Sequence, residues 1–246
     1  MIKDGIKLEN GQIRSFLMIG QSNMAGRGDI ADVPPIRNQL CHMLRMGRWQ
    51  KMSEPINPDR AIFEWRYRSG VGLAASFADE VANRTGEPVG LIPCADGGTM
   101  LSQWMPGELL YDHAVMQTRL AMRTSDISGI LWHQGESDCR SDRNIFAYKD
   151  NFIKMITSLK NDIGAPDIPV IIGELSHSYD EQFKMGDMPE VLNGIFYEIA
   201  RELPNCAVVS SEGLNMKADG LHFDSASQRI FGRRYAEAYF EVLKDK

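Results

Sequence analysis

The sequence predicts an α/β protein built on a five-stranded parallel sheet, and three observations predict it. Five short apolar runs, Ser15 to Gly20, Val89 to Pro93, Gly129 to Gln134, Val170 to Leu175 and Ala207 to Ser210, alternate with segments of helical periodicity. Most of these runs are continuously apolar rather than alternating, as strands covered on both faces must be. The chain has 246 residues, 43% hydrophobic and 24% charged, which suits a globular protein with one sizeable core. No Pro/Gly-rich linker, repeat or low-complexity tract divides it, so residues 1–246 are read as one domain.

Taken in order, the first strand runs from Ser15 into Gly20 and delivers the chain to Gln21 and Ser22. The stretch from Asp29 to Gly72 then breaks the β-α rhythm and is punctuated by Pro34, Pro35, Pro55 and Pro58, which reads as an inserted flap. Within it, Cys41 to Leu44 and Trp49 to Met52 flank Arg45-Met46-Gly47-Arg48 as a small hairpin. Leu73, Phe77 and Val81 mark a helix that Gly86 ends by offering a left-handed terminator. After the second and third strands, Phe152, Met155, Ile156 and Leu159 mark another helix, with Gly164 in the same terminating place. The last helix carries Phe231, Tyr235, Ala238 and Val242 on one face. Ser225, with Gln228 three residues on, reads as its capping box.

Composition excludes several classes of function. With 27 Lys and Arg against 33 Asp and Glu, the net charge of −6 gives no general attraction for nucleic acid or an anionic membrane. No apolar run approaches the roughly 18 residues of a membrane span, and the N-terminus has no signal-peptide core, so cytoplasmic residence is expected. Cys41, Cys94, Cys139 and Cys206 stand far apart in no metal-binding spacing and read as buried free thiols.

The chemistry gathers where strands end. Ser22 follows the first strand directly, at the carboxyl edge where open α/β sheets hold ligands. Position 24 is Met, so this is not a GxSxG elbow. Asp219-Gly-Leu-His222 lies between the last strand and the last helix, a spacing that lets the aspartate orient the imidazole while its other nitrogen takes a serine proton. Ala95-Asp-Gly-Gly-Thr99 and Trp132-His-Gln-Gly-Glu-Ser-Asp138 follow the second and third strands. An acyl-transfer intermediate needs donors aimed at its oxyanion, and the N–H groups of Ser22 and Gly98 with the Gln134 amide are the candidates.

Together, Gly-Gln-Ser-Asn, Gly-Gly-Thr, Trp-His-Gln-Gly-Glu-Ser-Asp and Asp-Gly-Leu-His, in this order from about Phe16 to Phe223, resemble the motif blocks of the SGNH hydrolase superfamily. The branch they resemble is the sialate O-acetylesterase and acetylxylan esterase group, carbohydrate esterase family 6. The resemblance implies a three-layer α/β/α sandwich of flavodoxin-like type. It also implies Ser22 as nucleophile, His222 as base, Asp219 as its orienter, and an oxyanion hole of Ser22, Gly98 and Gln134, with no cofactor and no metal. Leu73 departs from the pattern where relatives often show proline, outside the catalytic blocks.

Weaker readings surround these. Glu136 is a candidate support for His222 or the Asp219 loop, against a structural role at the floor of the site. His133 is expected in the core and His177 on a surface loop, while His42 and His113 give no signal. Trp49 or Trp104 could offer a sugar a stacking face. Arg27, Arg66 and Arg68 could pair with a substrate carboxylate. The expected activity is hydrolysis of acetyl esters on a small sugar, of the acetylated sialic acid or xylo-oligosaccharide type. The rivals are another acyl esterase, such as a lipase or thioesterase, and a sugar-binding protein on the same scaffold.

Overall fold

A computed structural model of the chain describes residues 13–57 and 69–244. In chain order it contains β1 (Arg14–Gly20), α1 (Ser22–Ala25), β2 (Cys41–Arg45), β3 (Arg48–Lys51), α2 (Leu73–Thr85), β4 (Val89–Pro93), α3 (Leu109–Ala121), β5 (Asp126–His133), α4 (Asp142–Asp162), β6 (Val170–Gly173), α5 (Met188–Glu202), β7 (Cys206–Val209) and α6 (Ser225–Lys244). The sheet order is β3-β2-β4-β1-β5-β6-β7.

The five apolar runs are β1, β4, β5, β6 and β7, all mutually parallel where they pair. The sheet nonetheless has seven strands rather than five, because the hairpin inside the presumed flap joins it. β2 runs parallel to β4, through Cys41 opposite Val89 and Met43 opposite Leu91, and β3 folds back antiparallel. Met46 and Gly47 both take positive φ at the turn, the geometry that matches the twist of a two-residue hairpin. Gly90 leaves room for the Trp49 ring, since a Cβ there would lie 2.6 Å from it.

Alternation along the strands divides the core into two layers. Leu17, Ile19, Ile130, Trp132, Val170 and Ile172 pack with residues of α3, α4 and α5, whereas Phe16, Met18, Leu91, Leu131 and Ile171 pack with α2 and α6. This is the three-layer sandwich. Helices α3 and α5 go beyond the three helices read from periodicity. The buried face of α3 is Tyr111, Ala114, Thr118 and Ala121, small and partly polar, which hides a hydrophobic period.

Two local expectations change. Asp224, not Ser225, caps α6: its carboxylate accepts from Ser227 N–H at 2.7 Å, while Ser225 Oγ donates to Asp29 O at 2.7 Å. Trp49 and Trp104 offer no stacking face, because both are buried and their indole N–H groups donate to Thr124 and Thr99. The flap read at 29–72 is described over residues 29–57 and 69–72, and both of these parts are tied to the body of the protein. Gly28 and Val71 exchange backbone hydrogen bonds, and Arg229 of α6 forms a buried two-pronged pair with Glu54. Cys41, Cys94 and Cys139 are buried and Cys206 is half-buried; all four are free thiols.

Candidate active site

The carboxyl ends of β1, β4 and β5 open onto a cavity of about 300 Å³. Ser22, Gly98, Glu136 and His222 line it, as do Gln21 and Arg27. What brings Ser22 there is the close approach of β1 to β5. Gly20 sits at φ +131°, and a Cβ at this position would lie 2.1 Å from His133 O. Only glycine fits, and Gln21 N–H then donates to the same carbonyl at 2.9 Å. Ser22 is the first residue of α1, so its N–H has no intrahelical acceptor.

His222 and Asp219 lie on the loop between β7 and α6. One Asp219 oxygen accepts from the N–H groups of Leu221 and His222, and the other meets His222 Nδ1 at 2.9 Å. A carboxylate can only accept, so Nδ1 carries a proton, and in the neutral imidazole Nε2 is the nitrogen that keeps its lone pair. Partial burial acts to raise the Asp219 carboxyl, but the hydrogen bonds from His222 and Leu221 outweigh it and hold it below the usual carboxylate range.

Buried Asn23, the residue after Ser22, joins this loop to α1. It accepts from Phe223 N–H at 3.1 Å and donates to Leu221 O at 3.3 Å, holding His222 from both sides. Its amide also donates to Glu136 at 2.7 Å. Glu136 therefore reaches His222 through Asn23 and the loop backbone. Across the loop, Asp180 N–H donates to Gly220 O at 3.0 Å.

Gln134 requires a correction. Its side chain is fully buried and does not line the cavity: the amide donates to Asp138 at 2.6 Å, to Thr99 O at 2.8 Å and to Gln21 Oε1 at 3.3 Å. With both its hydrogens directed at protein acceptors, it has none for a substrate oxyanion. The glutamine that faces the cavity is Gln21, next to Ser22. Its Oε1 accepts from Gln134 and, at 3.4 Å, from Ser137 N–H, and its Nε2 has no acceptor among the described residues. Sequence reasoning missed Gln21, although its place between Gly20 and Ser22 puts it at the strand's mouth. Gly98 has φ +73° and lines the cavity as expected.

His133 and His177 fall outside the cavity wall. His133 is a core residue, fully buried, with Nε2 3.1 Å from Glu174 O and its pKa held down by burial. His177 is on a surface loop, paired with Glu190 at 2.6 Å. Arg27 lines the cavity, and Arg140, unforeseen, joins it there. Arg66 and Arg68 lie outside the described residues.

Residues 12–241 match the family described as carbohydrate esterase, sialic acid-specific acetylesterase. A probable carbohydrate esterase of Arabidopsis thaliana is 30% identical over 243 residues, 91% of this chain and 89% of its own length. The crystal structure of that Arabidopsis protein superposes with a TM-score of 0.81 at 28% identity, covering 93% of this chain and 98% of that one. Two further structures share the fold: NanS, with a TM-score of 0.75 at 16% identity over 98% of this chain and 100% of that chain, and a carbohydrate acetylesterase from Xanthomonas citri, with 0.69 at 18% identity over 95% and 57%.

Proposed function

The chain belongs to the carbohydrate esterase, sialic acid-specific acetylesterase family and is a carboxylic ester hydrolase of SGNH fold; from that premise we propose that it removes acetyl groups from sugar hydroxyls through a serine-bound acetyl intermediate. The observation that carries the mechanism is the His222–Asp219 pair, with Nδ1 at 2.9 Å from the carboxylate and His222 on the wall of the cavity that Ser22 also lines.

Ser22 Oγ adds to the ester carbonyl as its proton passes to His222 Nε2. The carbonyl π electrons move to oxygen, and the oxyanion is met by the N–H groups of Ser22 and Gly98 and by the Gln21 amide. Collapse breaks the bond to the sugar oxygen, which leaves with the proton from His222. Water, deprotonated by His222, then attacks the acetyl-serine, and the second collapse frees acetate and restores Ser22. Asp219 keeps the imidazole in the productive tautomer and stabilises its cation.

The substrate we propose is a small acetylated sugar. A cavity of about 300 Å³ is at the lower end of small-molecule sites and suits a monosaccharide or short oligosaccharide. Arg27 and Arg140 line its wall, Arg27 with Nη1 donating to Gly26 O at 2.8 Å, and positive charge there favours an acidic sugar such as acetylated sialic acid over a neutral xylo-oligosaccharide.

The test combines labelling and turnover. A fluorophosphonate probe should add to Ser22, seen by peptide mass spectrometry, and Ser22→Ala should lose both label and turnover of acetylated sialic acid. Undiminished turnover by Ser22→Ala would overturn the mechanism. Better kcat/KM on acetylated xylo-oligosaccharides than on acetylated sialic acid, with labelling intact, would overturn the substrate alone.

A further inference from the structure

We infer that the Asn57 side chain takes the place of a missing strand at the exit of β4 and is thereby a positioning residue for the Gly98 N–H. The inference rests on the reading of Gly98 as an oxyanion donor.

Beyond Pro93 the chain leaves β4 but keeps the hydrogen-bonding alternation of a strand. Cys94 N–H donates to Met18 O and Asp96 N–H to Gly20 O, both at 2.9 Å, so alternate residues face β1. Ala95, between them, turns its N–H and C=O the other way. On that side the register with β2 stops at Met43 opposite Leu91, and no strand continues it among the described residues. Asn57 fills the gap: its Oδ1 accepts from Ala95 N–H at 3.1 Å and its Nδ2 donates to Ala95 O at 3.0 Å. A primary amide carries the donor and the acceptor of one peptide unit, so a single side chain completes the ladder.

Asn57 is itself held in place. Glu54, three residues before it, is the carboxylate of the buried pair with Arg229 of α6. Arg45 of β2 donates to Pro55 O at 2.9 Å, and Ile56 is buried in the core layer of α2 and α6. The clamp therefore transmits the position of the sheet and of α6 to Ala95. From Ala95 to Gly98 there is little slack, because Asp96 is held on β1 and Thr99 Oγ1 donates back to Asp96 O at 2.8 Å, closing the turn that contains Gly98. Asn57 and Gly98 both line the cavity, so the clamp acts at the site itself. Removing the amide takes these partners from the buried Ala95 N–H and C=O. Water entering from the cavity can satisfy them but fixes no position, and an oxyanion donor loses effect when it must reorient.

Asn57→Ala and the isosteric Asn57→Asp test the clamp, with kcat and KM measured on 4-nitrophenyl acetate and folding checked by circular dichroism. Asn57→Ala should lower kcat about 10- to 30-fold and leave KM within about twofold, since a donor is displaced rather than removed. Asn57→Asp carries a sharper signature. Ionised, its carboxylate sets an oxygen against Ala95 O; protonated, it offers a C=O and an O–H where the amide had its C=O and N–H. Burial raises the carboxyl pKa, so both forms are reached in the working range. The ratio of its kcat to the parent's, in which the titration of His222 cancels, should rise at least about fivefold from about pH 8.5 to about pH 5.5. Full kcat in Asn57→Ala, a loss confined to KM, or a ratio that stays flat or falls in acid with the fold intact would overturn the clamp. Where Asn57→Ala fails to fold, the ratio decides alone. Undiminished turnover by Ser22→Ala, run alongside, would instead refute the serine mechanism on which the clamp depends.

Discussion

The two walls of the cavity are built differently. On the oxyanion side, Gln21, Gln134 and Asp138 are at most 3% exposed and joined to one another by side-chain hydrogen bonds. On the base side, the Asp219 and His222 side chains are 40% and 16% exposed, and the loop is held mainly through its backbone by Asn23, Asp180 and the Asp219 carboxylate. In the proposed mechanism the oxyanion wall acts through fixed dipoles, whose effect depends on not having to reorient when charge develops. A base must accept, hold and release a proton in each half of the reaction, and partial exposure lets water support its charged form. Rigidity and access are divided between the walls accordingly.

The largest expected effect would show the two walls acting as one unit. Ser22→Ala and His222→Ala should each lower kcat by about 10⁴-fold or more while circular dichroism and thermal unfolding stay near the parent. A loss in one variant without the other would separate the walls chemically. Next, Gln21→Ala should cost about 10²- to 10³-fold in kcat with KM little changed, measured on acetylated sialic acid. A change in KM alone would assign Gln21 to ground-state sugar binding.

Asn23→Ala sharpens the contrast from the other side. It should lower kcat by about 10- to 10²-fold by misplacing the base. Amide exchange should also speed up over residues 219–223, a local loosening that Gln21→Ala should not produce. The smallest effect concerns stability. Because the Asp219 carboxyl is held below its ordinary value, its ionised form stabilises the fold above the usual carboxylate pKa, about 3.9, and that contribution disappears as pH falls through the lower folded value. Melting temperatures of parent and Asp219→Asn should therefore differ modestly near pH 7 and converge in acid. A gap that widened on acidification would contradict the sign.

Much of the central architecture was legible because burial on both faces writes itself as continuous apolar runs, and β1, β4, β5, β6 and β7 follow those runs to within a few residues. The hairpin of β2 and β3 was legible as a hairpin, from its turn, but its attachment was not. Pairing β2 with β4 is a contact between distant segments that leaves no periodic trace in Cys41 to Arg45. Ser22, Asp219 and His222 could be singled out because nucleophile and base chemistry restricts residue type, and the structure brings Ser22 and His222 to one cavity with Asp219 on the imidazole. Choosing between Gln21 and Gln134 was beyond the sequence. Both glutamines follow a strand at the same edge, and which amide meets the cavity depends on the Gly20 turn and on Tyr148, Thr99 and Asp138 arriving from other parts of the chain.

The hydrogen bond from Phe223 to Asn23 spans 200 residues. Closing so long a loop costs entropy that no local contact repays, so this link forms after the sheet and its helices have brought the two segments together. During synthesis Ser22 emerges early and His222, its proposed base, nearly last. Under the proposed mechanism, a chain halted with β1 through β6 in place holds Ser22 without the histidine proposed to deprotonate it, and it has no esterase activity while unfinished. Recovery of esterase activity during refolding should accordingly lag behind recovery of secondary structure, making catalysis itself a timer for the completion of the fold.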